Sequence, residues 1–127
     1  MTLRRLIYTS RVARAVRFAD AEAIANGARV RNRQAGITGL LLYTPSHFVQ
    51  VLEGPPQAVH ETLSRIQRDW RHSDLRVIDE RDVEVREFGS WLMSARFSGA
   101  PPDKLESLTL DEALELLRTG ASAAIID

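Results

Sequence analysis

The sequence contains no cysteine among its 127 residues. This absence excludes disulfide bonds, thiolate catalysis and cysteine-based metal sites, and it is typical of a reducing compartment. No apolar run approaches the roughly 18 residues that a membrane-spanning helix needs, and the amino terminus lacks a signal-peptide pattern. Neither sign of charge is in excess, since 17 Lys and Arg balance 17 Asp and Glu. We therefore expect a cytoplasmic protein whose partners are neither nucleic acids nor membranes.

Motifs for common nucleotide and metal sites are missing as well. No GxGxxG or GxxxxGKS/T segment occurs, which argues against a Rossmann or P-loop site. His47, His60 and His72 lack the spacing of metal ligands, and we expect His47 in a turn and His60 on an exposed helix face. Five arginines lie near the amino terminus: Arg4, Arg5, Arg11, Arg14 and Arg17. Acidic residues balance them and few aromatic residues lie between them, so a solvated rim is favoured over an RNA-binding surface.

Apolar periodicity predicts eight elements in the order β α β β α β β α. The predicted strands cover 3–10, 36–44, 47–53, 75–88 and 91–97. The first helix is predicted over 18–34, and the second opens at the prolines of 54–72. The last helix follows a loop, with Thr109 and Glu112 as a capping box and Gly120 as its expected end.

This order predicts an α+β fold. The first six elements form the ferredoxin-like βαββαβ arrangement, to which a fifth strand is added. Two helices would pack on one face of the sheet. Val49 and Val51 make the opposite face of the third strand apolar, so we expect the C-terminal helix to cover that face as a lid. Residues 1–97 would then be the core domain, and 98–127 a helical cap and tail.

The third strand, HFVQVLEG, carries a glutamine among apolar residues. Gln50 shares a strand face with Phe48 and Leu52. A buried amide needs hydrogen-bond partners, because each unsatisfied polar group costs a few kcal/mol. The same alternation gives the first strand a face with Tyr8. A tyrosine hydroxyl on the facing side would be a natural partner for Gln50.

Other residues could join this pair if the faces look toward the two helices. Trp91 and Met93 share one face of the fifth strand, while Asn32 and Asp69 would come from the helices. A polar cluster beneath an apolar groove suggests a flat ligand with polar edges. A Tyr–Gln core network without any ligand is the alternative that this spacing leaves open.

The combination of segments resembles the BLUF domain, a family of flavin-binding blue-light sensors. The similarity covers about residues 3–97 and is carried by LIYTS, by Asn32 four residues before GITGLLLY, by FVQVLEG, by IQRDWRHS and by WLM. It implies FAD bound without a covalent bond, hydrogen bonds that rearrange in light, and no enzyme activity of the domain itself.

The resemblance also implies roles for single residues. Tyr8 would donate an electron and a proton, Gln50 would lie between Tyr8 and the flavin, and Ser10 would be a small hydroxyl residue near the tyrosine. Trp91 and Met93 would pass the signal outward. The remaining implied cofactor-binding positions are Ile24, Arg31, Asn32, Leu52, Ile66, Asp69, Arg71 and His72.

Three positions depart from the family pattern. Ala28 stands where serine is frequent, Trp70 replaces a frequent arginine, and Arg31 stands beside Asn32 where asparagine or histidine is common. None removes the Tyr–Gln–Asn combination, so light sensing is still expected. Arg31 would be able to reach the adenine or phosphate of the cofactor.

The expected output is binding of a downstream signalling protein or a change in a homo-oligomer. The alternative function is a small ferredoxin-like enzyme or ligand-binding domain without flavin, for instance an acylphosphatase-like one. That reading needs a phosphate-binding loop after the first strand, and YTSRVAR fits such a loop poorly.

Overall fold

The structure, a computed structural model, describes residues 2–89 and 93–126, with 123–126 described by their backbone only. Five strands are present: β1 Leu3–Val12, β2 Thr38–Tyr43, β3 His47–Gly54, β4 His72–Val83 and β5 Ser94–Phe97. The described helices are α1 Phe18–Ala35, α2 Pro56–Gln67, α3 Pro102–Glu106 and α4 Leu110–Ile126. None of these helices is long and apolar enough to cross a membrane.

The strands form one mixed sheet in the order β4-β1-β3-β2-β5. β3 lies in the middle and pairs antiparallel with both β1 and β2. β5 extends the sheet by pairing parallel with β2. The predicted ferredoxin-like α+β fold with an added fifth strand is therefore confirmed.

Strand alternation divides the core into two apolar clusters, one on each face of the sheet. The helix-side cluster lies under α1 and α2 and includes Leu6, Tyr8, Phe48, Leu52 and Val59. The lid-side cluster joins the other face to α3 and α4 and includes Ile7, Leu40, Leu42, Val49, Val51, Leu105, Leu114 and Leu117. The predicted C-terminal lid is thus confirmed, and β3 is buried along its whole length.

The predicted bounds of β4 are wrong at both ends. The strand starts at His72, because β1 extends to Val12 and pairs with it there. It ends at Val83, so Phe88 lies outside the strand and inserts its buried side chain into the lid-side cluster. In the fifth predicted strand, Met93 precedes β5, while Trp91 and Leu92 lie outside the described residues.

The predicted end of the last helix at Gly120 is also wrong, since α4 continues to Ile126. A Cβ at this position would lie 2.6 Å from Leu42 Cδ2. The absence of a side chain at Gly120 therefore lets α4 pack closely against β2, and the glycine does not end the helix. The capping box is confirmed, because the Thr109 amide bonds Glu112 Oε1 at 3.0 Å and the Glu112 amide bonds Thr109 Oγ1 at 3.3 Å.

Candidate functional site

A cavity of about 320 Å³ opens between α1, α2 and the sheet face beneath them, a size within the usual range of ligand pockets. Strand residues form its floor: Tyr8, Leu41, Phe48, Gln50 and Leu52. α1 contributes one wall: Ala23, Ile24, Gly27, Ala28, Arg31 and Asn32. The opposite wall and the end come from α2 and the segment after it: Thr62, Arg65, Ile66, Asp69, Arg71 and His72. Met93 closes the floor near β5.

Three floor residues form a continuous chain of hydrogen bonds. Tyr8 and Gln50 are direct cross-strand partners in β1 and β3, and the Tyr8 hydroxyl donates to Gln50 Oε1. Gln50 Nε2 in turn donates to the Met93 sulfur at 3.2 Å. All three side chains are buried. Tyr8 and Gln50 therefore meet as the strand alternation predicts.

The environment of Tyr8 keeps its hydroxyl protonated. Burial raises the pKa of Tyr8 well above its usual range, and the negative charge of Asp69 raises this pKa further. Neutral tyrosine is consequently the form present at any physiological pH. In that form the hydroxyl is a hydrogen-bond donor, as its contact with Gln50 requires.

The cavity ends at an ion pair and a histidine with two partners. Asp69 accepts from Arg71 Nε at 2.9 Å, and this hydrogen bond lowers the pKa of the Asp69 carboxyl. His72 Nε2 lies 2.6 Å from the Ile66 carbonyl oxygen, which can only accept, so this nitrogen carries the proton. The other ring nitrogen of His72 lies 2.7 Å from the Ser10 hydroxyl. The ring is thereby fixed beside the cavity.

Most predicted site residues line the cavity, and three positions need comment. Ser10 contacts His72 and is not among the described lining residues. Trp91 lies outside the described residues. His47, predicted in a turn, is instead the buried first residue of β3, because its ring bonds Glu106 of α3 at 2.9 Å.

Sequence reasoning missed several lining residues, among them two polar ones on α2, and one residue that contacts Met93. Thr62 and Arg65 line the cavity from α2, and their helical spacing to Ile66 and Asp69 was a signal that could have identified them. Arg29 donates from Nε to the Met93 carbonyl oxygen at 3.2 Å. No sequence pattern indicates that contact, since its acceptor is a backbone atom.

The lining chemistry suits a flavin. Ile24 and Ile66 offer apolar surfaces on opposite walls, and an added Cβ at Gly27 would meet nothing within 4 Å, which leaves room beside α1. The amides of Gln50 and Asn32 can both donate and accept, which matches the alternating carbonyl and N–H groups at the polar edge of an isoalloxazine ring. No group of three or more potential metal ligands lies together among the residues that the structure describes.

Residues 3–94 match the family model of BLUF, sensors of blue light using FAD. The chain belongs to the BLUF family. It is accordingly a blue-light photoreceptor domain that binds a flavin. The family is one of sensors, in agreement with the prediction that the domain is not an enzyme.

Proteins similar to this BLUF domain differ greatly in length. The beta subunit of a photoactivated adenylate cyclase from Euglena gracilis is 38% identical over 95 residues, which are 74% of this chain and 11% of that subunit. The blue light- and temperature-regulated antirepressor BluF of Escherichia coli K12 is 37% identical over 70 residues, 55% of this chain and 17% of that protein. The chain thus spans only a small part of these relatives.

Solved structures match over nearly the whole chain. The dark-state structure of BlrB, a BLUF protein, is 35% identical with a TM-score of 0.80, and the match covers 96% of both chains. The ground state of BlsA has a TM-score of 0.82 at 24% identity and covers 94% of this chain and 87% of that one. The second likeness shows the fold alone.

Proposed function

We propose that this BLUF domain binds FAD without a covalent bond and responds to blue light through Tyr8 and Gln50. Met93, together with Trp91, passes the response to a signalling partner or to a second copy of the chain. The observation that carries the proposal is the buried Tyr8–Gln50–Met93 chain in the floor of a cavity with apolar walls.

Different residues of the cavity hold different parts of the cofactor. Ile24 and Ile66 sandwich the ring system, since they line the cavity from α1 and from α2. Asn32 binds the polar edge of the ring with its amide. Asp69 and Arg71 are hydrogen-bonded to each other and form the far end of the cavity. Further contacts are assigned to Leu52 and His72 from the floor and end of the cavity, and to Arg31, which lies at the wall where a phosphate-bearing tail would leave it.

Light sensing depends on the pair in the floor. A bound flavin would supply the absorption of blue light and the acceptor for an electron and a proton. Tyr8 is the donor, because its protonated hydroxyl already points at Gln50. The Gln50 amide takes up and passes on the proton, since one end accepts and the other donates. Rotation or tautomerisation of this amide presents a second hydrogen-bond pattern to the flavin and shifts its absorption to the red.

An acylphosphatase-like enzyme is less well supported. That function needs an arginine free to bind phosphate after β1. Arg11 lies inside β1 and bonds Glu106 from Nε at 2.7 Å. None of residues 13–17, which follow β1, is among the described residues that line the cavity.

The test is a light-minus-dark absorption spectrum of the flavin-loaded protein, with the released flavin identified after denaturation. The wild type is expected to release intact FAD and to show a reversible red shift. Tyr8→Phe should lose the shift at equal flavin occupancy. Tyr43→Phe is the matched control and should keep it, because the Tyr43 hydroxyl is also buried but donates to the Val16 carbonyl oxygen.

Two results would contradict the proposal. One is a flavin-loaded wild type that shows no red shift in blue light. The other is a Tyr8→Phe protein with the wild-type shift and recovery. Flavin that stays attached after denaturation would argue against non-covalent binding alone.

A further inference from the structure

Glu53 is a fully buried carboxylate on the lid side of the sheet, three residues after Gln50 in β3. Its two oxygens accept from consecutive backbone amides, Glu87 at 3.0 Å and Phe88 at 2.6 Å. Burying a charged group is costly unless it is compensated, so an apolar residue would fill this position more cheaply. Glu53 is therefore not explained by core packing.

Residues 86–88, here called the clasp, are held at every position. The Arg86 guanidinium donates to the carbonyl oxygens of Gly36 at 2.7 Å and Glu53 at 2.9 Å, and to the Thr38 hydroxyl at 2.8 Å. The Phe88 side chain is buried in the lid-side cluster. The clasp is thus fixed to the sheet beside the strand that carries Gln50.

The clasp is also bound to the lid. The Glu87 carboxylate accepts from Arg118 of α4 at 2.5 and 3.1 Å and lies 3.6 Å from the Arg5 guanidinium of β1. The hydrogen bond from Arg118 holds the pKa of Glu87 below its usual range, so this carboxylate is charged near neutral pH. The clasp consequently joins β3 on one side to α4 on the other.

The clasp precedes Met93 by five residues in the chain, and Met93 is hydrogen-bonded to Gln50. We propose that Glu53 is a positioning residue that couples the Gln50-bearing strand to the lid helix through the clasp. This rests on the proposed function, because the displacement to be transmitted begins at Gln50. Because Glu53 of β3 holds the backbone amides of Glu87 and Phe88, a shift of β3 would move Glu87 and, through its ion pair, Arg118 of α4.

The experiment compares hydrogen exchange of the α4 amides, residues 110–122, in darkness and under blue light. Glu53→Gln loses one of the two acceptors for the clasp amides, since an amide has a single acceptor oxygen. We expect this variant to keep the flavin red shift and to lose at least about three-quarters of the light-minus-dark difference in α4. Arg118→Gln removes the ion pair between α4 and Glu87 of the clasp and should give the same result.

Arg4→Gln is the control, because Arg4 binds Glu80 and Asp82 on β4, away from the clasp. It should leave both the red shift and the α4 response unchanged. The decisive quantity is the light-minus-dark difference in hydrogen exchange of the α4 amides. A purely structural role of Glu53 would change this exchange equally in darkness and in light.

Several outcomes would overturn the coupling. They are a wild type that shows the red shift without an α4 response, an α4 response that survives in Glu53→Gln or Arg118→Gln, and a Glu53→Gln protein that loses the red shift at full flavin occupancy. If Glu53→Gln fails to fold, Arg118→Gln decides. A wild type without any red shift would count against the proposed function instead.

Discussion

At the scale of single residues, the two ends of the Gln50 amide are held with unequal strength. Oε1 accepts from the Tyr8 hydroxyl, whereas Nε2 donates to the thioether sulfur of Met93 at 3.2 Å. A thioether is a weak acceptor, so little hydrogen-bond energy opposes loss of the Met93 contact. Tyr8 therefore dominates the orientation of the amide in this structure. A change in the protonation of Tyr8 would remove the contact that holds Gln50 in place.

Replacing Gln50 by leucine tests the amide without emptying the core. Leucine is close to glutamine in size, so the strand should still pack and the flavin should stay bound. The light-induced red shift should disappear, and leaving the Tyr8 hydroxyl buried and unpaired should lower stability by about 1–3 kcal/mol. Light-minus-dark spectra at matched flavin occupancy and denaturation midpoints measure the two effects. Gln57→Leu, on the exposed surface of α2, is the control.

A Gln50→Leu protein with the wild-type shift and recovery would remove glutamine from the mechanism while leaving the family assignment intact. A variant that loses its flavin would contradict the expectation that the cavity walls hold the ring without this amide.

Period-two alternation was enough to predict that Tyr8 and Gln50 meet, because both positions lie within long, regular strands. It could not predict Glu53 as an anchor, since its partners are backbone amides of a segment expected to be strand. The contact of Arg29 with the Met93 carbonyl oxygen was hidden for the same reason. The pattern of side chains predicts which face of a strand or helix is buried. It does not predict where a turn places its backbone N–H and C=O groups.

At the scale of elements, the order of strands and helices followed from the sequence, while several ends did not. The residues of β4 are mostly exposed or half-buried and polar, so apolar spacing gives no stop signal near Val83. The register of its pairing with β1 shifts between Asp79 and Val77, an irregularity that apolar spacing does not reveal. The end of β4 is instead set by the turn of the clasp toward the lid side.

Gly120 is where a local rule and tertiary packing disagreed. A glycine after a helical stretch usually marks a C-terminal cap. Here a Cβ would contact Leu42 Cδ2 at 2.6 Å and Leu40 Cδ2 at 3.4 Å, so the glycine lets α4 lie close to the sheet. The packing of α4 against β2 therefore stabilises the helix beyond Gly120, although glycine weakens an isolated helix.

Gly120→Leu should push α4 away from β2. Inserting a large side chain into a packed contact typically costs about 1–3 kcal/mol, and the gain in helix propensity of less than about 1 kcal/mol does not offset it. We expect a lower midpoint of thermal unfolding with the flavin red shift retained. Ser122→Leu adds the same side chain at an exposed position of α4 and should change the midpoint little. An unchanged or raised midpoint for Gly120→Leu would show that α4 does not pack as described.

At the scale of the whole molecule, the sheet separates a sensing face from a covered face. The cavity lies on one face, and α3 and α4 cover the other, with β3 buried between them. Both helices of the lid form ion pairs with the rest of the molecule. Glu106 of α3 bonds His47 and Arg11, and Arg118 of α4 bonds Glu87. Among the residues that the structure describes, the strands and the clasp both connect the sensing face to the lid.

Removing residues 98–127 tests whether the predicted core, residues 1–97, is stably folded without the helical cap. The deletion would uncover lid-side residues of the sheet: Ile7, Leu40, Leu42, Val49 and Val51. If roughly 400 Å² of apolar surface is exposed, at about 25 cal/mol per Å² the loss is about 10 kcal/mol, comparable to the whole stability of a typical domain. We expect the truncated chain to aggregate or to unfold at low denaturant concentration. A chain ending at Ser122 keeps the described lid-side cluster and should remain folded. A monomeric 1–97 chain with the wild-type unfolding midpoint would show that the lid, including the contacts of Glu106 and Arg118 with the rest of the molecule, does not stabilise the core.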